Sequence, residues 1–74
     1  MSPHVTDVDV AIGRRLRQVR RRRELTLEDV AATSGLTVQQ VQKMEVGGAS
    51  VYASALLRVA TALGEPVTTF LEPE

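Results

Sequence analysis

The sequence predicts an all-α domain, five short helices around a small aliphatic core. Three observations lead to that class. Apolar residues recur at three- and four-residue spacing, as in Ile12, Leu16 and Val19 and again in Leu56, Val59, Ala60 and Leu63. The period-two alternation of a half-buried strand is missing. Helix punctuation falls between the periodic segments, with Thr26 and Thr37 at starts and Gly35 and Gly64 at ends. At 74 residues the chain has room for one core and one domain. Domains of this size sit near the lower limit for folding alone, and many gain stability by dimerising.

Residues 1–8 contain Pro3 and no apolar period, and read as a flexible arm that leaves residues 9–74 as the single domain. Asp9 is the expected cap of the first helix, followed by Ile12, Leu16, Val19 and Arg23 at helical spacing, with arginines on the other faces. Gly13 costs this helix about 1 kcal/mol relative to alanine, so its expected use is close approach by a neighbouring helix. The helix is expected to end near Arg23 or Glu24. Thr26 caps the second helix, whose first turn holds Glu28 and Asp29, where the helix dipole favours acids. Leu27, Val30 and Ala31 form its apolar side, and it ends at Ser34-Gly35, with Gly35 suited to a left-handed cap. Leu36 plugs the turn. Thr37 caps a third helix, Val38 to Glu45, with Val41 and Met44 inward. The run "VGGAS" is a loop. Ser50 or Tyr52 starts a fourth helix, with Leu56, Leu57, Val59, Ala60 and Leu63 at apolar spacing and Gly64 closing it. Pro66 suits the first position of a last helix ending in Phe70-Leu71.

Composition removes several function classes. Without cysteine there is no disulfide and no thiolate metal site, and a reducing cytosol is the expected setting. The one histidine, His4, has no second ligand nearby and reads as a solvated residue. With no phosphate-cradling glycine loop and no obvious buried pair of acids, an enzyme is not expected, nor is a cofactor or a metal. No apolar run approaches the ~18–20 residues that span a bilayer, and the N-terminus lacks the form of a signal peptide. The expectation is a soluble cytoplasmic protein. Net charge is zero, yet seven of the nine basic residues (Arg14, Arg15, Arg17 and Arg20 to Arg23) fall within ten positions. Such asymmetry places a nucleic-acid footprint inside a neutral chain, or else a solvated face paired with Asp9, Glu24, Glu28 or Asp29. Charge alone leaves both open.

Two short helices joined by a glycine turn suggest a helix-turn-helix, in which the second helix enters the major groove. The spacing agrees: Ala31 is small where the helices cross, Gly35 takes the turn, and Val30, Leu36, Val41 and Met44 fix the crossing. The third helix then carries Gln39, Gln40, Gln42 and Lys43, more long hydrogen-bonding side chains than a helix needs for packing alone.

Residues 9–71 resemble the Cro/CI-type (XRE) helix-turn-helix domains of bacterial and phage transcription regulators. The resemblance lies in "IGRRLRQVRRRRELTLEDVA", "SGLTVQQVQKMEVG" and "LLRVATALGEPVTTFL". The run "VQQVQKME", with "DVDVAIGRRLR" upstream, is similar to a group of small alphaproteobacterial regulators. It implies a five-helix bundle of the lambda-repressor-like type, often dimeric, that binds an inverted-repeat operator, most often as a repressor. By position, Arg20 and Glu45 match an arginine and a glutamate that pair inside the domain. Val38, Gln39 and Lys43, with Gln42 beside them, match positions facing base edges. Their chemistry suits the role, since Gln bonds bidentately to adenine, Lys donates to guanine and Val packs on a thymine methyl. Thr26, Thr37 and Gln40 match phosphate-facing positions, and Arg14, Arg17 and Ser50 are added as backbone contacts. Val67, Phe70 and Leu71 offer a dimer surface, or simply a cap on the core.

Two positions depart from the family pattern. Leu27 stands where a phosphate-contacting glutamine is common, and Val46-Gly47-Gly48-Ala49-Ser50 replaces a basic or asparagine-bearing loop. Each lost ionic contact lowers affinity and its salt dependence. The rival reading is a degenerate helix-turn-helix that docks another protein, or an antitoxin that combines the two activities.

Overall fold

The computed structural model describes residues 5–71, which form α1 (Asp7–Arg22), α2 (Leu27–Ser34), α3 (Val38–Glu45), α4 (Ala53–Leu63) and α5 (Thr68–Leu71). Among the described residues there is no strand. Helices α1 to α3 each begin with a reciprocal capping box, in which a threonine hydroxyl accepts from the third helical amide while that residue's side chain accepts from the threonine amide. The pairs are Thr6 with Asp9, Thr26 with Asp29 and Thr37 with Gln40. Tyr52, before α4, makes no side-chain cap bond.

The start of α1 corrects the sequence reading. Its cap is Thr6, and Asp9 is the third helical residue that answers it, accepting from the Thr6 amide at 2.9 Å. Of the arm expected over residues 1–8, Asp7 and Val8 belong to α1, while residues 1–4, His4 among them, lie outside the described residues. At the far end Arg23 is the C-cap rather than a core position, because its guanidinium turns out to the Glu65 carboxylate. Leu57 leaves the apolar stripe of α4 and is 56% exposed. Pro66 lies in the turn before α5, where its carbonyl accepts from the Thr69 amide at 3.1 Å.

Leu16, Val30, Val41, Val59, Leu63 and Phe70 form the centre of the core. Around them α1 packs on α3, α4 and α5, and α2 packs on α3 and α4. Phe70 is 1% exposed, which removes it from any surface role. It is the only phenylalanine and the largest of the fully buried side chains, carried on α5 where that helix packs on α1. The expected dimer surface is thereby reduced to Leu71, 55% exposed, and the half-buried Val67.

Two backbone features set the geometry of α3. A methyl group at Gly13 would overlap the Met44 carbonyl, so the absent side chain is what lets α1 lie against the end of α3. In the turn between α2 and α3, Gly35 has φ +76°, the left-handed conformation that favours glycine. Ser34, buried beside it, donates to the Ala31 carbonyl and accepts from the Leu36 amide, both at 3.3 Å, so the turn leaves this hydroxyl satisfied.

Candidate nucleic-acid interface

The helix that would read DNA has two chemically distinct sides. Its inner side buries Val41, Met44 and Glu45. Glu45 is held there by Arg20, whose Nε and one terminal nitrogen donate to the two carboxylate oxygens at 2.7 and 3.0 Å. The other terminal nitrogen of Arg20 donates to the Leu25 carbonyl at 2.9 Å, so the same guanidinium also ties down the loop before α2. The Glu45 carboxylate beside it holds the Arg20 pKa above its ordinary value. Both partners are thus consumed by the fold.

The outer side presents Gln39, Gln42 and Lys43, all exposed and spaced so that they share one stripe. Val38 stands apart from them. It is half-buried and packed against the core, so only part of its side chain faces outward. Val46 continues the stripe one turn beyond Gln42 and is 64% exposed. Sequence reasoning assigned Val46 to the loop; its exposure follows from its place as the C-cap of α3.

The backbone-facing candidates are spread around α3. At its N-terminus the Thr37 hydroxyl accepts from the Gln40 amide (3.1 Å), and the Gln40 carboxamide oxygen accepts from the Thr37 amide (2.8 Å). Both acceptors are engaged, which leaves the hydroxyl proton and the carboxamide NH₂ to donate outward, the polarity a phosphate requires. Thr26 is different. Its box partner is the Asp29 carboxylate, and Glu28 lies beside it, so the start of α2 is acidic. Two backbone and hydroxyl bonds from Thr26 hold the Asp29 pKa below the usual aspartate value, keeping that negative charge in place. Leu27 packs on the core and offers this corner no donor.

On α1, Val10 packs against Gly47, Gly13 against Met44, and Arg20 binds Glu45. These three define the ridge that faces α3 and the loop after it. Arg17 lies on the same ridge, between Gly13 and Arg20, and is exposed, so it borders the C-terminal end of α3. Arg14 is exposed on the adjoining outer face. Ser50 lines a cleft of about 150 Å³ together with Gln40, Lys43, Met44 and Tyr52. Tyr52 is 70% exposed and was read from the sequence only as a helix start. Nothing in the local sequence shows that this tyrosine faces outward or which residues stand beside it.

Among the described residues, no group of His, Cys, Asp and Glu could hold a metal ion, and no helix is long and apolar enough to cross a membrane.

Known proteins share this arrangement. The profile of a family described as "Helix-turn-helix domain" matches residues 11–70. The chain is 38% identical over 65 residues to an HTH-type transcriptional regulator of Sinorhizobium fredii, covering 88% of this chain and 46% of that protein. It is 40% identical over 63 residues to a transcriptional regulator in the ATPase CF(0) region of Rhodospirillum rubrum, covering 85% of this chain and 58% of that one. The chain therefore spans about half the length of the curated relatives it matches. It superimposes on the restriction-modification controller protein C.AhdI of Aeromonas hydrophila with a TM-score of 0.81 at 34% identity, over 84% of this chain and 94% of that one. On the clp gene regulator ClgR of C. glutamicum the TM-score is 0.84 at 29% identity, over 89% and 86%. With the five-helix bundle and the glycine turn already in place, these matches settle the family: the chain belongs to the helix-turn-helix transcriptional regulators of the Cro/CI (XRE) type.

Proposed function

We propose that the protein is a sequence-specific repressor that reads the major groove of double-stranded DNA with α3. The supporting observation is the stripe of Gln39, Gln42 and Lys43 on the outside of a helix whose inside is fixed by Val41, Met44 and Glu45. Gln39 reads adenine, Lys43 reads the acceptors of guanine, Gln42 serves a neighbouring base, and the outward part of Val38 packs on a thymine methyl. Thr37 and Gln40 dock on phosphate at the start of the helix. Ser50 does so from the loop, and Arg14 and Arg17 from α1. Thr26 contributes less, because Glu28 and Asp29 repel phosphate at that corner.

One such helix reads only a few base pairs, so the operator is an inverted repeat bound by a homodimer, with Leu71 and Val67 at the two-fold contact. The setting is the bacterial cytosol. The test is to mix the protein with a randomised duplex pool at low salt, then recover and sequence what it holds, beside a Gln39→Ala/Lys43→Ala variant. A shared inverted repeat that the variant no longer selects is the expected result. Recovery of nothing above background would end the readout hypothesis.

One observation favours a second reading, a module that docks another protein. The start of α2 combines Leu27 with two acids and the α3–α4 loop is neutral, so two places where phosphate would be held carry no cation. Salt separates the readings. Duplex binding that falls steeply with salt supports DNA, and a protein-docking module would hardly bind duplex at any salt.

A further inference from the structure

Asp9 does more than close the first turn of α1. Its Oδ2 accepts from the Thr6 amide at 2.9 Å, which completes the capping box. Its Oδ1 reaches 42 residues along the chain and accepts from the Val51 amide, also at 2.9 Å. The cap needs only the first of these bonds. The second fastens the end of the α3–α4 loop to α1. The beginning of the same loop is seated beside it, where Val10 lies against Gly47, while Gly13 lies against Met44 in the last turn of α3. Gly47, at φ +71°, turns the chain there. The loop is thus held near both ends, by Val10 at Gly47 and by Asp9 at Val51, and between those points lies Ser50, on the rim it shares with Lys43 and Tyr52.

We infer that Asp9 is a positioning residue for DNA binding, holding Val51 so that the loop carrying Ser50 meets the duplex already ordered. The inference rests on the reading that the α3 face binds DNA. Its force comes from the composition of the loop. Val46-Gly47-Gly48-Ala49-Ser50 has no cation to draw phosphate from a distance, so its contact depends on geometry, and a loop with two adjacent glycines loses much conformational freedom if it must be ordered on binding. Asp9 supplies that order beforehand without touching the ligand.

Charge makes the test discriminating. Asp9 is an acid beside a surface proposed to meet phosphates, so as a bare charge it would oppose binding, and its removal would tighten the complex. As a positioning group, its removal loosens the complex. The experiment compares Asp9→Ala, Asp9→Asn and Thr6→Ala with the wild type, all at a temperature where each is folded by circular dichroism. The probe is a labelled 30-base-pair duplex bearing the sequence that wild type selects. Amide exchange at Val51 is followed in parallel. Asp9→Ala is expected to bind about tenfold more weakly and to lose protection at Val51. Asp9→Asn keeps a carboxamide oxygen for Val51 and is expected to stay within about twofold of wild type. Thr6→Ala loses the cap partner but keeps the Val51 bond, and is expected to be less stable yet bind normally. Binding by Asp9→Ala as tight as wild type or tighter overturns the role. So does an equal loss in Thr6→Ala, which would assign the effect to the cap. Wild-type protein that binds no duplex even at low salt overturns the DNA reading itself, and the role of Asp9 with it.

Discussion

Glu45 is 9% exposed and Arg20 reaches it with two donors, so neither charge can be removed alone without stranding the other. Arg20→Ala is expected to cost about 3–5 kcal/mol in urea unfolding, because it leaves a buried carboxylate without a partner. Arg20→Met with Glu45→Leu should recover most of that loss, since the pair's own net contribution is small once desolvation is counted. Arg20→Lys falls between, keeping the charge but losing the fork that also serves the Leu25 carbonyl. Gly13→Ala tests the opposite kind of residue. Helix propensity alone would stabilise the variant by about 1 kcal/mol. The Met44 carbonyl reverses the sign, and a net loss of about 1–3 kcal/mol is expected in the same assay. Gly13 was legible in the sequence because a glycine inside a helix has few uses besides close approach. The Arg20–Glu45 pair was not legible from spacing, since its members stand 25 residues apart, and only the family resemblance pointed to it.

At the scale of the helices, the order of elements and the cap of α2, α3 and α4's closing glycine could be read from short signals of one or two residues. The start of α1 could not. In "VTDVD" both Thr6 and Asp9 are good caps, and what selects Thr6 is the reciprocal bond of Asp9 together with its reach to Val51, a contact no local pattern contains. The two boxes that contain an aspartate, and the Arg23–Glu65 pair, are expected to respond to acid. Backbone amides, chiefly that of Thr6, hold the Asp9 pKa below its ordinary value of 3.8, bonds from Thr26 do the same for Asp29, and Arg23 lowers Glu65 from 4.5. A carboxylate whose folded pKa lies below its unfolded one stabilises the fold fully above the unfolded value, and loses that contribution as pH falls through the folded one. Thermal melts should therefore show little change in Tm from these groups between pH 6 and 8 and a decline below about pH 4. Thr37→Ala is expected to lower stability by about 1 kcal/mol at neutral pH, as the loss of a cap does elsewhere.

For the molecule as a whole, the proposed reading leaves ionic contact with DNA to few residues. Lys43, Arg14 and Arg17 are the cations in the proposed footprint, in which Thr37, Gln40 and Ser50 would bond phosphate without displacing counterions. The logarithm of affinity against that of salt should have a slope of about −3 per protomer by fluorescence titration, less steep than a basic loop would give. With the proposed dimer contact, Phe70 and Leu71 would separate assembly from folding. Phe70→Ala should cost about 3–5 kcal/mol of stability. Leu71→Glu should leave Tm nearly unchanged in dilute protein while abolishing any dimer seen by sedimentation. The sequence showed two large apolar residues side by side at the end of α5. Which of them the core would take depends on the direction in which α5 lies on α1, and that is a property of the assembled bundle.

The side chains seen to fix α3 lie on its inner side or at its ends: Val41, Met44 and Glu45 within, Thr37 and Gln40 at the start, with Gly13 of α1 against its last turn. The side chains of Gln39, Gln42 and Lys43 are exposed on the other side, and Gln42 and Lys43 serve the helix end only through their backbone carbonyls, which accept from the Val46 and Gly48 amides. On the proposed reading, selection can therefore rewrite the recognised sequence at three positions without first loosening the scaffold. Duplicated copies of such a gene could diverge to new targets by a few neutral steps, with the fold inherited intact.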